Sequence, residues 1–303
     1  MKKFDFVANL KKFLCISLAI MLVGLVCNFI FGTKLDISFK GGTQIRYSYD
    51  AAPDLDKMTE LAKKNLGKDA TLSFDEVNNT EIVSIKLPGE VSTEQKQALD
   101  KDLNKELKDS KLKVFSSNTL SATMGSKFLL RCMLALGLAA VLLVIYVGFR
   151  FRKIGGVPAA VSALIALVHD LLIVYFSFVI FGIELNDNFV AVMLTILGYS
   201  LNDTIVIFDR IRTLRRRSDA PLADVVNESL HHVLRRTIIT TVTTCLAIVA
   251  VLIVALAMNV DSIISFALPM LLGAISGSYS SLVLSGPIWV RWMERKAKKA
   301  GKK

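Results

Sequence analysis

The chain has 303 residues, 53% of them hydrophobic, and a formal net charge of +11 at pH 7. A chain this apolar, with apolar runs near 20 residues, is typical of an integral membrane protein and argues against a soluble enzyme. The positive charge does not indicate a nucleic-acid partner, because no basic stretch is interleaved with base-stacking aromatic residues.

Six stretches are long and apolar enough to cross a membrane as helices. A bilayer core requires about 20 apolar residues per helix, and the candidates are residues 13–31, 127–149, 157–181, 189–208, 238–258 and 263–290. The first could instead be a signal peptide, because four lysines precede its apolar region. That region is long, however, and lacks a small-x-small cleavage pattern. We therefore expect a retained anchor and an α-helical membrane protein with six transmembrane helices.

Basic residues occur at alternate ends of these helices. Lys and Arg near helix ends are retained on the cytoplasmic side, and they cluster before the first span, after the second and fourth, and after the sixth. The two short loops 182–188 and 258–262, which fall on the opposite side, contain neither Lys nor Arg. Both termini are therefore predicted to be cytoplasmic. The basic tail could also contact anionic membrane lipid or an acidic partner, but a plain retention signal is the favoured explanation.

The charge pattern divides the chain into four parts. Residues 33–126 carry 14 Lys/Arg against 15 Asp/Glu, so the positive charge belongs to the membrane half. The predicted parts are residues 1–32 with the N-terminus and first transmembrane helix, residues 33–126 as an extracytoplasmic domain, residues 127–290 with five helices and a cytoplasmic loop at about 209–237, and the cytoplasmic tail 291–303.

The segment between the first two spans has alternating strand and helix signals. Residues 36–49 are rich in β-forming residues and broken by two glycines, which predicts a strand with a bulge or turn. Four elements follow: a helix that stops at Gly67, a hairpin with the turn "NNT", a helix with a capping box at Ser92 and Gln95, and a strand over 111–118. The order βαββαβ predicts an α+β ferredoxin-like domain. With no His and no Cys, this domain is predicted to bind or to act as a lever rather than to catalyse a reaction.

The membrane half carries ionisable groups where they are costly. A charged side chain near the bilayer centre costs at least about 2.5 kcal/mol and usually faces a bundle interior or a hydrated cavity. His169 and Asp170 lie near the middle of the third span, and Asp203 lies in the fourth among hydrogen-bonding neighbours, which are Ser200, Asn202 and Thr204. Arg236 and Thr237 begin the fifth span and a stripe of threonines.

Simpler interpretations compete with a functional one at each position. Asp203 could form only a structural hydrogen bond, His169 could be a neutral core histidine, and Arg236 could be an interfacial anchor. A stripe of threonines more often packs against a neighbouring helix than lines a hydrated path. Gly273 and Gly277 in the sixth span have the GxxxG spacing of closely packed helices. None of the four cysteines forms a CxxC pair or a metal-ligand spacing, so we predict no cofactor and no metal.

Four motifs give the chain a family resemblance. They are "ISFKGGTQI" after the first span, "ALIALVHDLLI" in the third, "GYSLNDTIVIFDRIR" in the fourth, and "LRRTIITTVTT" with "GSYSSLVLSGPI" in the last two. Together they resemble the SecD/SecF family of protein-export membrane subunits, and its SecF branch in particular, within the resistance-nodulation-division superfamily. The motifs span most of the chain, and the one in the fourth span is long and specific.

The resemblance implies an accessory subunit of the Sec protein translocase in the bacterial inner membrane. Such a subunit couples the proton-motive force to late steps of preprotein export, and its implied partners are a SecD-like membrane protein, the SecYEG channel, SecA indirectly and the translocating preprotein. The family's proton-transport residues carry over to Asp203 and Arg236. Their depth makes Asp170 and His169 further candidates for a proton relay, with Asn202, Thr204 and Thr237 as supporting polar groups.

The sequence leaves two other functions open. A proton-driven exporter of the same superfamily would use a similar relay but is expected to have two six-span halves. A purely structural scaffold of the translocase would move no protons. An enzyme fits least well, because no nucleophile, metal cluster or phosphate loop has supporting context.

Overall fold

The computed structural model describes residues 4–66, 70–77 and 80–300. Within these ranges the α-helices are α1 (Leu10–Phe31), α2 (Ile37–Lys40), α3 (Leu55–Leu66), α4 (Thr93–Glu106), α5 (Ala122–Arg150), α6 (Gly156–Ile180), α7 (Asp187–Arg215), α8 (Leu222–Ala257), α9 (Asp261–Ser280) and α10 (Gly286–Ala300). The strands are β1 (Gly42–Ser48), β2 (Thr71–Val77), β3 (Thr80–Pro88) and β4 (Lys113–Leu120). The predicted helix stop at Gly67, the two asparagines of the "NNT" turn and both chain ends fall outside the described residues.

Six helical stretches of the described chain are long and apolar enough to span a membrane. They are α1, α5, α6, α7, α8 and the continuous run Asp261–Lys299 formed by α9 and α10. Each corresponds to one predicted span. The protein is therefore mostly helical, with a small sheet inserted between the first and second candidate spans.

The helices α6, α7 and α9 form the centre of the bundle. About half of the residues in their most apolar windows are buried, whereas those of α1, α5 and α8 are mostly exposed. The exposed side chains of these outer helices are largely Leu, Ile, Val and Phe, which suits a hydrocarbon environment or a further helical partner. The buried carboxylates of the membrane half, Asp170 and Asp203, therefore lie on central helices that other helices cover.

The predicted cytoplasmic loop over about 209–237 is largely helical. The helix α7 continues to Arg215 and α8 begins at Leu222, so only residues 216–221 separate them. The apolar stretch ends where charged residues begin, but the helix continues through them. Within α7, Arg212 donates to Asp209 over 2.6 Å. The added start of α8 is amphipathic and buries Val226 and Leu230 against the bundle core.

The sixth span contains a turn of π-helix at residues 281–285. Pro287 lies just beyond it, and a proline has no N–H to donate and its ring collides with the carbonyl four residues earlier. The wider turn relieves this conflict, and such turns often accompany functional sites. Here the π turn contains Ser281 and Ser285, both fully buried.

The inserted sheet has the strand order β2-β3-β1-β4, and every neighbouring pair is antiparallel. In chain order its elements are β1, α3, β2, β3, α4 and β4. Side chains of α3 and α4 pack with those of β1 and β3 in one core, which includes Met58, Leu99, Ile45 and Ile85. The capping box predicted at Ser92 and Gln95 begins α4.

The first predicted strand begins later than expected. Residues 37–40 form the one-turn helix α2, because the Asp36 side chain accepts a hydrogen bond from the Ser38 N–H and caps it. Gly41 then adopts φ of +80°, and a Cβ there would lie 2.5 Å from the backbone of Ala122. The glycine pair thus lets the chain turn into β1 while passing directly against the start of α5.

Charged side chains attach the sheet to the helical bundle. The Lys86 ammonium on β3 pairs with Asp36 and also lies 3.5 Å from the Glu184 carboxylate in the α6–α7 loop. Backbone hydrogen bonds join the same two loops, from the Asp36 N–H to the Leu185 carbonyl over 3.0 Å and from the Leu185 N–H to the Lys34 carbonyl over 2.8 Å. The segment after α1 is therefore fixed to the start of α7.

Candidate functional site

Asp170 on α6 is completely buried and accepts hydrogen bonds from three serine hydroxyls. Ser276 donates to Oδ1, and Ser200 and Ser280 donate to Oδ2, each over 2.6 Å. His169 Nδ1 lies 3.0 Å from Oδ1 and supplies a fourth donor when that nitrogen carries the proton. A carboxylate has about four acceptor positions, so the ionised form of Asp170 is fully satisfied and joins α6, α7 and α9.

His169 stands at the edge of this cluster. Its ring packs at 6.0 Å between centroids against Tyr279, whose hydroxyl donates to the Phe13 carbonyl on α1 over 3.0 Å. Within the described residues, its Nε2 is buried and has no hydrogen-bond partner. The imidazole therefore connects the Asp170 cluster to α1 through aromatic packing and keeps one nitrogen free.

A second set of hydroxyls extends the cluster along α7. The Ser281 hydroxyl donates to the Ser200 carbonyl over 3.1 Å and lies 3.0 Å from the Thr204 hydroxyl. Thr204 is buried and directly follows Asp203 in the chain. The π turn that contains Ser281 thus links Ser200, which donates to Asp170, with Thr204, the neighbour of Asp203.

Asp203 on α7 is also nearly buried, but its surroundings differ from those of Asp170. Its Oδ2 is buried with no hydrogen-bond partner within the described part of the chain. The groups that act on its charge are the Arg236 guanidinium and the Ser278 hydroxyl. A buried charged oxygen without a donor is costly, so this carboxylate is poorly satisfied in its ionised form.

Arg236 and Asp203 do not form a direct ion pair among the described residues, although the guanidinium is near enough for its charge to act on the carboxylate. Arg236 is exposed at the surface of the chain, and Asn202 is exposed on the outer face of α7. Thr237 is buried, and its carbonyl accepts hydrogen bonds from Thr240 and Thr241. Most of the threonine stripe therefore bonds to its own helix, while Thr241 also contacts Ser278.

The predicted packing glycines lie against α7. A Cβ on Gly273 would lie 2.7 Å from the Ile196 side chain, and one on Gly277 would lie 3.1 Å from the Ser200 Cβ. Real Cβ atoms rarely approach other atoms so closely. The absence of side chains at these positions lets α9 come near enough for its serines to reach Asp170.

The serines of α9 were missed as site residues by reasoning from the sequence. The stretch "SGSYSSLVLS" places hydroxyls at 276, 278, 280, 281 and 285 in an otherwise apolar span. That density of hydroxyls was the available signal. Sequence alone could not indicate that Ser276 and Ser280 reach Asp170, 106 and 110 positions away, or that Ser281 contacts Thr204, 77 positions away.

Six candidate spans around buried carboxylates and hydroxyls define the class: a multi-pass membrane protein with an ionisable core. Residues 100–295 match the family model for the C-terminal part of the protein export membrane proteins SecD and SecF. The chain belongs to this SecD/SecF family.

Known relatives agree with this assignment over nearly the whole chain. The protein translocase subunit SecF of Alicyclobacillus acidocaldarius is 32% identical, with 98% of this chain and 96% of that protein covered. The subunit SecDF of Bacillus subtilis is 30% identical over 98% of this chain but only 39% of its own length. The crystal structure of SecDF from Thermus thermophilus, described as a translocon-associated membrane protein, has a TM-score of 0.78 at 26% identity and covers 97% of this chain and 39% of that one. The chain is thus the length of a SecF protein and about two fifths of a SecDF protein.

Proposed function

We propose that the chain is an accessory subunit of the Sec protein translocase that couples the proton-motive force to late steps of preprotein export. The observation that carries this proposal is the buried, unpartnered oxygen of Asp203 within reach of the Arg236 charge. A proton on that oxygen removes a poorly satisfied buried charge, whereas its loss restores attraction to the guanidinium. Asp203 is therefore the group whose charge changes, and Arg236 favours its ionised state.

Asp170 and His169 have a different part in this proposal. The donors around Asp170 occupy its acceptor positions, so it acts as a fixed anchor between three helices. A change at Asp203 would reach that anchor through α7: Thr204, the next residue, contacts the Ser281 hydroxyl, which donates to the carbonyl of Ser200, whose own hydroxyl donates to Asp170. His169, with its free Nε2, is the nearest group that could exchange a proton with this cluster.

The inserted domain is the part that moves in this proposal. Its element order and strand order are those of a ferredoxin-like fold, and we place it outside the cytoplasm on the bacterial inner membrane, with both termini inside. One elementary charge crossing 100 mV yields about 2.3 kcal/mol, which is enough to bias a conformational equilibrium. The emerging preprotein, delivered by SecA through the SecYEG channel, is the proposed load.

A SecD-like membrane protein is the proposed direct partner. The outer face of α7 exposes a row of small and polar residues in the middle of an apolar span, namely Ala191, Thr195, Gly198 and Asn202. A polar amide facing lipid is unfavourable, and small residues allow close approach of another helix. The B. subtilis relative, whose SecDF chain is matched over 39% of its length, supports a second half beside this one.

Export of a reporter preprotein under imposed pH or sodium gradients tests the coupling. We expect Asp203→Asn to lower export to the level seen without a gradient, while copurification with a SecD-like partner is unchanged. Asp219→Asn is the matched control, because Asp219 is exposed between α7 and α8. Wild-type export by Asp203→Asn would indicate a structural scaffold, and a response to sodium alone would exclude the proton.

A further inference from the structure

A groove of about 750 Å³ lies between the start of α1 and the helix α10. Four of its lining residues are apolar and are called the floor here: Leu10, Leu14, Ile288 and Trp292. The other six are all cationic and are called the rim: Lys11, Arg291, Arg295, Lys296, Lys298 and Lys299. The groove therefore combines a hydrocarbon surface with a ring of positive charge.

Few acidic groups neutralise this rim. Within the described residues, Glu294 pairs with Arg291 over 3.6 Å, and the charge of Arg291 also acts on Asp5. Both carboxylates therefore interact with the same guanidinium, that of Arg291. The other rim cations are thus available to a ligand with negative charge.

The position of the groove selects the kind of ligand. Both walls belong to candidate membrane spans, at the ends where their apolar stretches give way to lysine and arginine. Leu14 and Trp292 are exposed, and the exposed apolar row continues along α1 through Leu18. Tryptophan is favoured at the boundary between hydrocarbon and headgroups, so the groove opens at the depth where phospholipid headgroups lie.

We propose that this groove binds one anionic phospholipid, with its phosphate on the cationic rim and an acyl chain along Leu14 and Leu18. Basic pockets between membrane helices recognise anionic headgroups, and each nearby Lys or Arg adds to the attraction. An acidic protein segment would pair with the cationic rim but would leave the apolar floor, Leu14 and Leu18 uncovered. A bound lipid would join α1, which leads to the inserted domain, to α10, which continues from the π turn beside Asp170.

Native mass spectrometry on the purified full chain in detergent tests this site. The probes are anionic cardiolipin and zwitterionic phosphatidylcholine, made with the same kind of acyl chain, and a soluble poly-glutamate peptide. The test variant is Arg295→Gln with Lys299→Gln. The control is Arg216→Gln with Arg217→Gln, which removes the same charge from exposed positions between α7 and α8.

We expect the first cardiolipin to bind wild type and the control alike, at least about tenfold more tightly than phosphatidylcholine. The test variant should lose roughly tenfold or more in cardiolipin affinity while its unfolding midpoint without lipid matches wild type. Equal losses in both double variants would mean nonspecific charge attraction and overturn the proposal. Poly-glutamate that displaces cardiolipin and itself requires Arg295 and Lys299 would assign the groove to an acidic protein instead.

Discussion

Asp203 and Arg236 lie within electrostatic reach of each other on α7 and α8, yet within the described chain they form no ion pair. Asp203 differs in this respect from Asp170, whose carboxylate is hydrogen-bonded by three serines and a histidine. One carboxylate is fully satisfied and the other is not. This difference gives the two acids opposite expected responses to the same substitution.

Asparagine at these two positions should affect stability unequally. In Asp170→Asn, one acceptor oxygen becomes an amide that faces hydroxyl donors, and we expect a loss of about 1–3 kcal/mol in unfolding free energy. In Asp203→Asn the replaced group has an unpartnered oxygen, so stability should be unchanged or higher. Thermal unfolding of the purified chain in detergent measures both. A loss in Asp203→Asn as large as in Asp170→Asn would mean that Asp203 is a structural hydrogen-bond acceptor.

The outer face of α7 should be required for assembly but not for folding. Gly198 has nothing within 4 Å of the position of a Cβ, so Gly198→Leu should leave the unfolding free energy of the isolated chain within about 0.5 kcal/mol of wild type. The added side chain would prevent close approach of a partner helix, and copurification with a coexpressed SecD-like protein should fall sharply. Gly137→Leu on α5, where the space is equally open, is the control. Undiminished copurification of Gly198→Leu would place the partner on another face.

Hydropathy and local signals predicted much of the fold. The six apolar stretches and the order of the strands and helices in the inserted segment agree with the structure because each depends on neighbouring residues. The errors have local physical causes: Asp36 caps a helix where β-forming residues predicted a strand, and charged residues continue α7 and α8 beyond the apolar stretches.

The candidate site was only partly predictable. Asp170, His169 and Asp203 were recognisable individually, because an ionisable group in a membrane span is rare. The serine donors to Asp170 lie 30 to 110 positions away, and their contact depends on Gly273 and Gly277 bringing α9 against α7. Nothing local in the sequence specifies that approach. The family resemblance assigned a role to Asp203 and Arg236 but did not indicate their separation.

The side chain of Asn227 should help to hold the N-terminal segment in place. Asn227 on α8 accepts hydrogen bonds from the Phe6 and Val7 N–H groups over 2.9 and 3.2 Å and donates to Asp5 over 2.8 Å. In Asn227→Ala both N–H groups lose their acceptor, so hydrogen exchange of residues 4–9 should rise by roughly tenfold or more.

Glu228→Ala provides the control for this prediction. Glu228 is the next residue along α8, is exposed and lies 3.5 Å from His232. Exchange in residues 4–9 should therefore stay at the wild-type rate. Equal exchange in Asn227→Ala and wild type would mean that the packing of Phe6 and Val7 in the bundle core holds the segment by itself.

The two carboxylates around Lys86 should give opposite pH dependences of stability. Burial opposes ionisation of Asp36, but hydrogen bonds from Lys86 and the Ser38 N–H outweigh it and hold its pKa below the ordinary value. Burial raises the pKa of Glu184, and the Lys86 charge offsets this only in part because Asp36 adds repulsion. Asp36 therefore stabilises the fold above its ordinary pKa, and this contribution is lost as the pH falls through the lowered value. Ionised Glu184 destabilises the fold once the pH rises past its ordinary value near 4.5.

Two single substitutions separate these contributions. At pH 7 the unfolding midpoint should fall in Asp36→Asn and rise in Glu184→Gln, and both differences should shrink in acid as the wild-type carboxyl groups become protonated. Each variant controls for the other, because each removes one negative charge from beside the same ammonium group. The measurement is a series of thermal unfolding midpoints between pH 3 and 8 on the purified chain. A fall at pH 7 in both variants would mean that Glu184 stabilises the junction as an ordinary ion-pair partner of Lys86.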